Sequence, residues 1–498
     1  MSGIRRPRPA LLLAGTVLSV VCATSAFSPG AAARPRSRPT PRPTPSPLDV
    51  SARSAPEVLQ LTLKIDRHRR PTAVRIFPTS NSLRFILPDP APRLNESVWP
   101  TGDGLLPRVT AATDDTGVAL SLPWPYALPH EVKERAYGFD IIVRKLFVRS
   151  ASRSLAPGVV LVEEETGLPE GRQRTIVVRA SAGSARLELL NRRGPALEAT
   201  SALARRHRPL VAVNGGYFSP RDGFALGLVQ AGDRILSGPF HARTALHLSQ
   251  EQPSLARAGV HPWILLPGGE SAEVDQVNVL PAAADGLSLF REPWPARSGS
   301  RGDDQSLELA MSPDGVVLGM GPRDLGLPPG GWLLHARGAR AVWLADRVRR
   351  GNKIQLHDPT TEFWGRSGDA LGGGPELVQD GQVRIGTDER FRSDITRGRH
   401  ARTAVGLSRD GGLILLVTAQ DRPGDLGMSL EETARALLRH GAWQGVNMDG
   451  GTSSTFWTAG SVLVGQRPDR PVANALGLYA SGHREEVQDP RDGLGAEP

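Results

Sequence analysis

The stretch Val446-Asn-Met-Asp-Gly-Gly-Thr-Ser-Ser-Thr-Phe-Trp457 sets an amide, a carboxylate, two glycines and four hydroxyls between two apolar flanks. Side chains of an extended segment alternate, so Asn447 and Asp449 share one face while Val446 and Met448 take the other and can be buried. Gly450 and Gly451 then let the backbone turn tightly or approach a ligand closely. The types present can do chemistry: a carboxylate to act as base, nucleophile or stabiliser, and amides and hydroxyls to bind polar groups. Asp-Gly-Gly alone is also the writing of an Asx-type hairpin turn. A second stretch, Val211-Ala-Val-Asn-Gly-Gly-Tyr-Phe218, ends its apolar run in the same way, and two such loops predict one polar site at strand ends.

The elements that must position Asp449 follow from the flanking residues. Ser429-Leu-Glu-Glu-Thr-Ala-Arg-Ala-Leu-Leu-Arg-His440 predicts a helix with Ser429 and Glu432 as a capping box, Leu430, Ala434, Leu437 and Leu438 on one face, and Gly441 as its stop. Glu431 and Glu432 are therefore read as cap and surface residues. With strands at Leu413 to Val417 and Gly445 to Met448 this makes a strand-helix-strand unit whose second strand carries Asp449 at its C-terminal end, where α/β architectures bind ligands. Other catalytic signatures fail. Gly451-Thr-Ser-Ser-Thr455 lacks the final Gly of a nucleophile elbow, and there is no Gly-Lys-Ser/Thr, no HExxH and no paired Cys/His spacing.

Composition bounds the rest. A chain of 498 residues with 39% hydrophobic content fills more than one core, and 55 glycines with 43 prolines favour short strands and turns over long helices. The formal charge of +9 is concentrated in the first 54 residues, where eight arginines stand against Asp49. Charge therefore gives no reason to expect nucleic acid as a partner. The single cysteine, Cys22, excludes an intramolecular disulfide and a thiolate zinc site.

Along the chain, residues 1–33 read as a signal peptide: basic at Arg5, Arg6 and Arg8, apolar from Ala10 to Cys22, small at Ala23, Ala26 and Ala31 to Ala33. Retention as an anchor or lipidation at Cys22 are the alternatives; export is common to all three, to the periplasm, the cell envelope or the exterior, with no stable membrane span after cleavage. Residues 34–55 predict a disordered Pro/Arg-rich linker. Residues 56–150 predict a small β-rich domain, residues 155–480 a longer one with many strands and few helices, and residues 481–498 a disordered tail. In the longer domain strands are expected at Arg174 to Ala180, Leu210 to Val213, Leu307 to Met311 and Ala341 to Leu344, and a helix at Ala199 to Arg206. The fold class is α+β and sheet-rich.

Asn214-Gly-Gly-Tyr-Phe218, Gly372-Gly-Gly-Pro375, Arg402-Thr-Ala-Val-Gly406, Gly427-Met-Ser-Leu430, Asn447-Met-Asp-Gly-Gly451 with Ser453-Ser454, and Arg470-Pro-Val-Ala-Asn-Ala475 occur in the order seen in the phosphodiester glycosidase family, which Ala156 to Ala480 resembles. That family contains the uncovering enzyme and bacterial exopolysaccharide-associated relatives. Many members have a third glycine where this chain has Thr452. The resemblance implies hydrolysis of sugar-1-phosphodiester linkages in envelope or extracellular glycans. The other reading is a glycan-binding or cell-wall scaffolding protein without turnover. Leu87-Pro-Asp-Pro90 and Gly117-Val-Ala-Leu-Ser-Leu122 resemble AMIN-type modules that hold periplasmic enzymes near cell wall, which implies a wall partner for the first domain.

The residue types fit that chemistry. Asp449 is the first candidate for the catalytic carboxylate and Asp421 for a second. Gly215, Gly216, Gly373, Gly374, Gly450 and Gly451 offer backbone N–H groups and Arg402 and Arg470 guanidinium groups to a phosphate. Asn214, Thr403, Asn447, Ser453, Ser454 and Asn474 are candidate partners of sugar hydroxyls, while Tyr217 and Phe218 are expected in the core. Asp421, Asp425 and Asp449 are oxygen ligands of the kind Ca²⁺ takes, but their spacing matches no EF-hand, and neither a metal nor another cofactor is assigned.

Overall fold

The protein is described by a computed structural model covering residues 48–481, apart from residues 66–73, 80, 88–96, 115–116, 191–196, 222, 240, 250–251, 281–283, 293–304 and 323. The expected signal peptide, most of the linker and most of the tail lie outside these residues. Alternation decides where regular structure begins. Leu48 and Val50 are buried while Asp49 and Ser51 are exposed, so Leu48–Ser54 pairs antiparallel with Val58–Ile65. The linker expected to reach residue 55 thus already contains a strand, because the two buried positions in Leu-Asp-Val outweigh the proline-rich context.

That strand belongs to a four-stranded sheet with Val58–Ile65, Gly138–Arg144 and His130–Arg135. A five-stranded sheet, ordered Arg75–Pro78, Ser82–Leu87, Gly117–Pro123, Arg108–Asp114 and Ser97–Pro100, shares one core with it around Leu61, Phe85, Leu120 and Ile141. The break expected between residues 150 and 155 falls inside a single strand, Phe147–Ala156, which opens the next sheet.

Eight strands form that sheet, in the order Phe147–Ala156, Val159–Leu168, Gly171–Ala180, Leu413–Thr418, Arg402–Ser408, Ala442–Asn447, Glu376–Gln379 and Gln382–Val383. A five-stranded sheet of Ala185–Leu190, Ala475–Ala480, Val211–Asn214, Phe456–Thr458 and Ser461–Val464 shares a core with it through Val178, Leu415, Val446, Val213, Phe456 and Leu476. The helix Leu430–Arg439, with the predicted capping box formed, packs Leu430, Ala434 and Leu437 against Val177, Ala404 and Leu416 of the eight-stranded sheet. Leu413–Thr418 and Ala442–Asn447 both pair antiparallel with the strand between them, so they run parallel and the helix crosses over it. Asp449 lies two residues beyond the second strand's end.

Residues between Leu228 and Ala370 build further small sheets on a separate core. Ala341 to Leu344, expected as a strand, belongs instead to the helix Ala339–Arg347. Ala341 and Leu344 are buried three residues apart while Val342 is exposed, a helical spacing that a four-residue apolar run cannot declare. The described residues are sheet-rich with few helices, and among them no helix is long and apolar enough to cross a membrane.

Candidate active site

The two Gly-Gly loops meet. Asn214, the last residue of Val211–Asn214, is fully buried, and its Nδ2 donates to the backbone carbonyl of Asp449 at 2.8 Å. Its Oδ1 accepts from Thr403 Oγ1 at 2.6 Å and from the Thr455 N–H at 3.1 Å. The Asp449 N–H in turn donates to the Gly215 carbonyl at 3.1 Å. One buried amide thus joins three segments distant in sequence and fixes the backbone on which Asp449 stands.

Asp449 itself keeps part of its surface open while protein packs closely round its carboxyl group. Desolvation pushes its pKa up to about 6, opposed by hydrogen bonds from the Ser453 side chain and the Gly450 N–H and by the charge of Arg470. A carboxyl group poised near neutrality suits acid–base or electrostatic work.

Tyr217 lies in the same site. Its hydroxyl donates to the Gly374 carbonyl and accepts from Asn447 Nδ2, both at 2.8 Å. Burial raises its pKa, as does Asp449, while Arg402 and Arg243 oppose the rise. The ring sits 5.3 Å from that of Phe391, over which the Arg243 guanidinium packs at 3.7 Å. Asn447 Nδ2 also donates to the Met448 carbonyl at 2.7 Å, leaving its buried Oδ1 without a partner.

Most of the other expected substrate contacts support the wall of the site. Thr403 is fully buried against Asn214. Asn474, also buried, accepts the Gly216 N–H on Oδ1 at 2.9 Å, and a Cβ on Gly215 would stand 2.1 Å from that oxygen, which excludes any other residue there. A Cβ on Gly373 would press on the Asn447 carbonyl at 2.8 Å, one on Gly374 on Glu389 Oε2 at 2.4 Å, and one on Gly450 on the Ala401 carbonyl at 2.9 Å, so close chain packing accounts for all three. Arg402 is buried, and its guanidinium donates to the carbonyls of Met428, Ile395 and Gly398 rather than reaching outward. Arg470, part-exposed, donates to Thr452 Oγ1 at 2.6 Å and lies over Phe218 at 5.5 Å. The threonine that departs from the family pattern is therefore the anchor of this arginine.

Asp421 stands in the wall of a cavity beside the Asp449 turn. It is ion-paired with Arg174, which also meets Asp425, and Arg172 donates to Asp425 at 2.8 Å. It is not among the groups acting on Asp449, and it lines a cavity of about 270 Å³ together with Gly451, Thr452, Ser454, His400 and Gln420. Asp421, the candidate for a second catalytic carboxylate, is thus engaged by an arginine, and Arg172 and Arg174 of the neighbouring strand together hold the loop 421–425. The same two arginines engage Asp421 and Asp425 where calcium ligation was considered.

Residues 313–479 match the model of the phosphodiester glycosidase family. The matched stretch contains Asp449, Arg402 and Arg470 and is shorter than the span from Ala156 that the motifs suggested; Asn214 and Tyr217 lie outside it and are brought to it by the fold. The phosphodiester glycosidases are glycosidase-type hydrolases. No curated protein matches the chain. A hypothetical protein from Synechocystis has a similar structure, with TM-score 0.61 at 19% identity over 87% of this chain and 79% of that one. A putative exported protein from Burkholderia pseudomallei K96243 gives 0.51 at 17% identity, over 88% and 97%. The catalytic domain of zebrafish N-acetylglucosamine-1-phosphodiester alpha-N-acetylglucosaminidase gives 0.31 at 14% identity, over 71% and 89%. At these identities the first two likenesses concern the fold alone.

Tyr217, Arg243 and Phe391 were not legible as site residues. For Tyr217 a signal existed, its place directly after Asn-Gly-Gly; for Arg243 and Phe391 there was none, since their neighbours have no motif character.

Proposed function

We propose that the protein is an exported glycosidase that hydrolyses sugar-1-phosphodiester linkages of envelope or extracellular glycans. The observation that carries this reading is Asp449: a part-exposed residue whose closely packed carboxyl group has its pKa near 6, on a turn fixed by buried amides and flanked by Arg470. When the bond between the anomeric carbon and the phosphate oxygen breaks, its electron pair leaves with the phosphate, and positive charge develops on the sugar. An ionised Asp449 opposes that charge. Phosphate carries its electron pair away without strong acid assistance, so a second carboxyl group is not required, in keeping with the engagement of Asp421 by Arg174. Asn447 Oδ1 and Ser454 Oγ, both buried and unpartnered, are acceptors a sugar hydroxyl can satisfy.

Export is inferred from the basic and apolar run of residues 1–33, and attachment to cell wall is assigned to the two N-terminal sheets. Incubation with a panel of sugar-1-phosphodiesters tests the function: release of free sugar, lost in Asp449→Asn, supports it. Binding of a wall polymer with no turnover, unaltered in Asp449→Asn, supports the scaffolding reading instead.

A further inference from the structure

The turn that carries Asp449 also closes one end of a groove. The cavity lined by Gly451, Thr452, Ser454 and Asp421 shares Gln420, Asp421, Gly465 and Gln466 with a second, more open one of about 700 Å³, which continues between Gln420–Arg422 and Gly465–Pro468. The loop after strand Leu413–Thr418 makes one wall and the loop after Ser461–Val464 the other. The inner cavity is about 270 Å³, and pockets of roughly 300–1,000 Å³ hold drug-sized ligands, so the two together exceed what a single sugar requires.

The lining says what kind of ligand would fill it. At the inner end Ser454 is buried, with its Oγ lacking any partner, a state that a bound hydroxyl or amide would relieve. Asp421 is held by Arg174 through one oxygen, so that the carboxylate is fixed in place at the cavity wall. Farther out the groove presents Gln466 and Arg422, both exposed; the backbone carbonyl of Arg422 accepts from the Asp425 N–H at 3.1 Å, while its guanidinium has no ion pair or hydrogen bond among the described residues. A floor of fixed polar groups with an unpaired cation at the lip matches a hydroxyl-rich chain that carries negative charge at intervals.

We propose that this groove binds the portion of a polymeric, phosphodiester-linked glycan that continues beyond the scissile phosphate, with Arg422 meeting the next phosphate along the chain. The inference rests on the hydrolytic reading of Asp449 and adds the substrate class: a polymer of repeating units, not an isolated sugar phosphodiester.

The test compares a sugar-1-phosphate methyl diester with phosphodiester-linked oligosaccharides of two to six repeats, in the full-length protein and in Arg422→Ala and Arg422→Ala/Gln466→Ala. The expected result is a rise in kcat/KM of about tenfold from the methyl diester to the second repeat, the scale of one charge-assisted hydrogen bond. The double variant should abolish that rise and leave hydrolysis of the methyl diester unchanged. Hydrolysis that is independent of chain length in the wild type, or a dependence that survives the double variant, overturns the groove and leaves the assignment of Asp449 standing. If no substrate is hydrolysed, the hydrolytic reading fails, and calorimetric titration with the six-repeat oligosaccharide judges the groove separately. Binding weakened about tenfold by the double variant supports it, and absent or unaltered binding overturns it.

Discussion

The pKa of Asp449 makes a prediction about stability and activity at once. Desolvation raises it from 3.8 to about 6. For a group whose folded pKa lies above its unfolded one, the stability contribution is fully present below the unfolded pKa and is lost as pH rises through the folded pKa. A rise of roughly two units corresponds to about 3 kcal/mol. Above pH 6 the ionised carboxylate therefore destabilises the fold by that order, and Asp449→Asn, which keeps an oxygen for the Gly450 N–H at 3.0 Å, removes the charge. Urea denaturation at pH 8 should show the variant more stable than the wild type by up to about 3 kcal/mol, with the two curves converging towards pH 4. Over the same range kcat/KM of the wild type should fall with unit slope below pH about 6 as the carboxylate is protonated. At pH 8 the variant should lose at least about a hundredfold in kcat/KM. A variant that is less stable at pH 8, or active in proportion to its folded fraction, would make Asp449 a structural turn residue. An acid limb near pH 4 would refute the desolvation argument while leaving the residue's role intact.

Asn214→Ala strips partners from the Asp449 carbonyl, the Thr403 hydroxyl and the Thr455 N–H, all in the interior. At about 1–3 kcal/mol for each unsatisfied group, chemical denaturation should show one of the largest losses of any single substitution in the chain. Thr452→Gly removes the anchor of Arg470 at an exposed position, so stability should stay within roughly 0.5 kcal/mol while KM shifts more than kcat in steady-state assays. Tyr126→Ala takes away a buried ring that lies 4.4 Å below the Arg172 guanidinium, and thermal or urea unfolding should register a loss of about 3–5 kcal/mol. For the same reason, removal of residues 48–146 uncovers the Arg172–Asp425 pair, and the remaining chain should expose that loop to limited proteolysis.

How much of this was written in the sequence differs by the range of the interaction involved. The helix Leu430–Arg439 was legible because its cap, its apolar face and its stop are all local, and local rules decide them. The strand-helix-strand unit that carries Asp449 followed from the same residues. Leu48–Ser54 was hidden because its compositional surroundings are those of a linker, and only two alternating apolar positions mark it. Ala339–Arg347 was misread because a short apolar run has no period of its own.

In the site the division is sharper. Asn214 and Asn447 were both picked out as polar residues at strand ends, yet what each does is set by partners more than 200 residues away. Sequence spacing announces that such an amide is placed with care, without telling whether it faces a ligand or holds a neighbouring chain. The fold answers through saturation. Asn214 Oδ1 already has two donors, so it has little capacity left for substrate, whereas Asn447 Oδ1 and Ser454 Oγ are buried with none. An interior polar atom left unpaired is unfavourable by itself, so the unpaired ones are where a ligand gains most by binding. On the proposed reading the substrate-facing groups of the Asn-Met-Asp-Gly-Gly-Thr-Ser-Ser stretch are Asp449, the amide oxygen of Asn447 and the hydroxyl of Ser454; of the glycines between them, Gly450 lets the backbone of Ala401 come close and Gly451 supplies a positive φ of 61°.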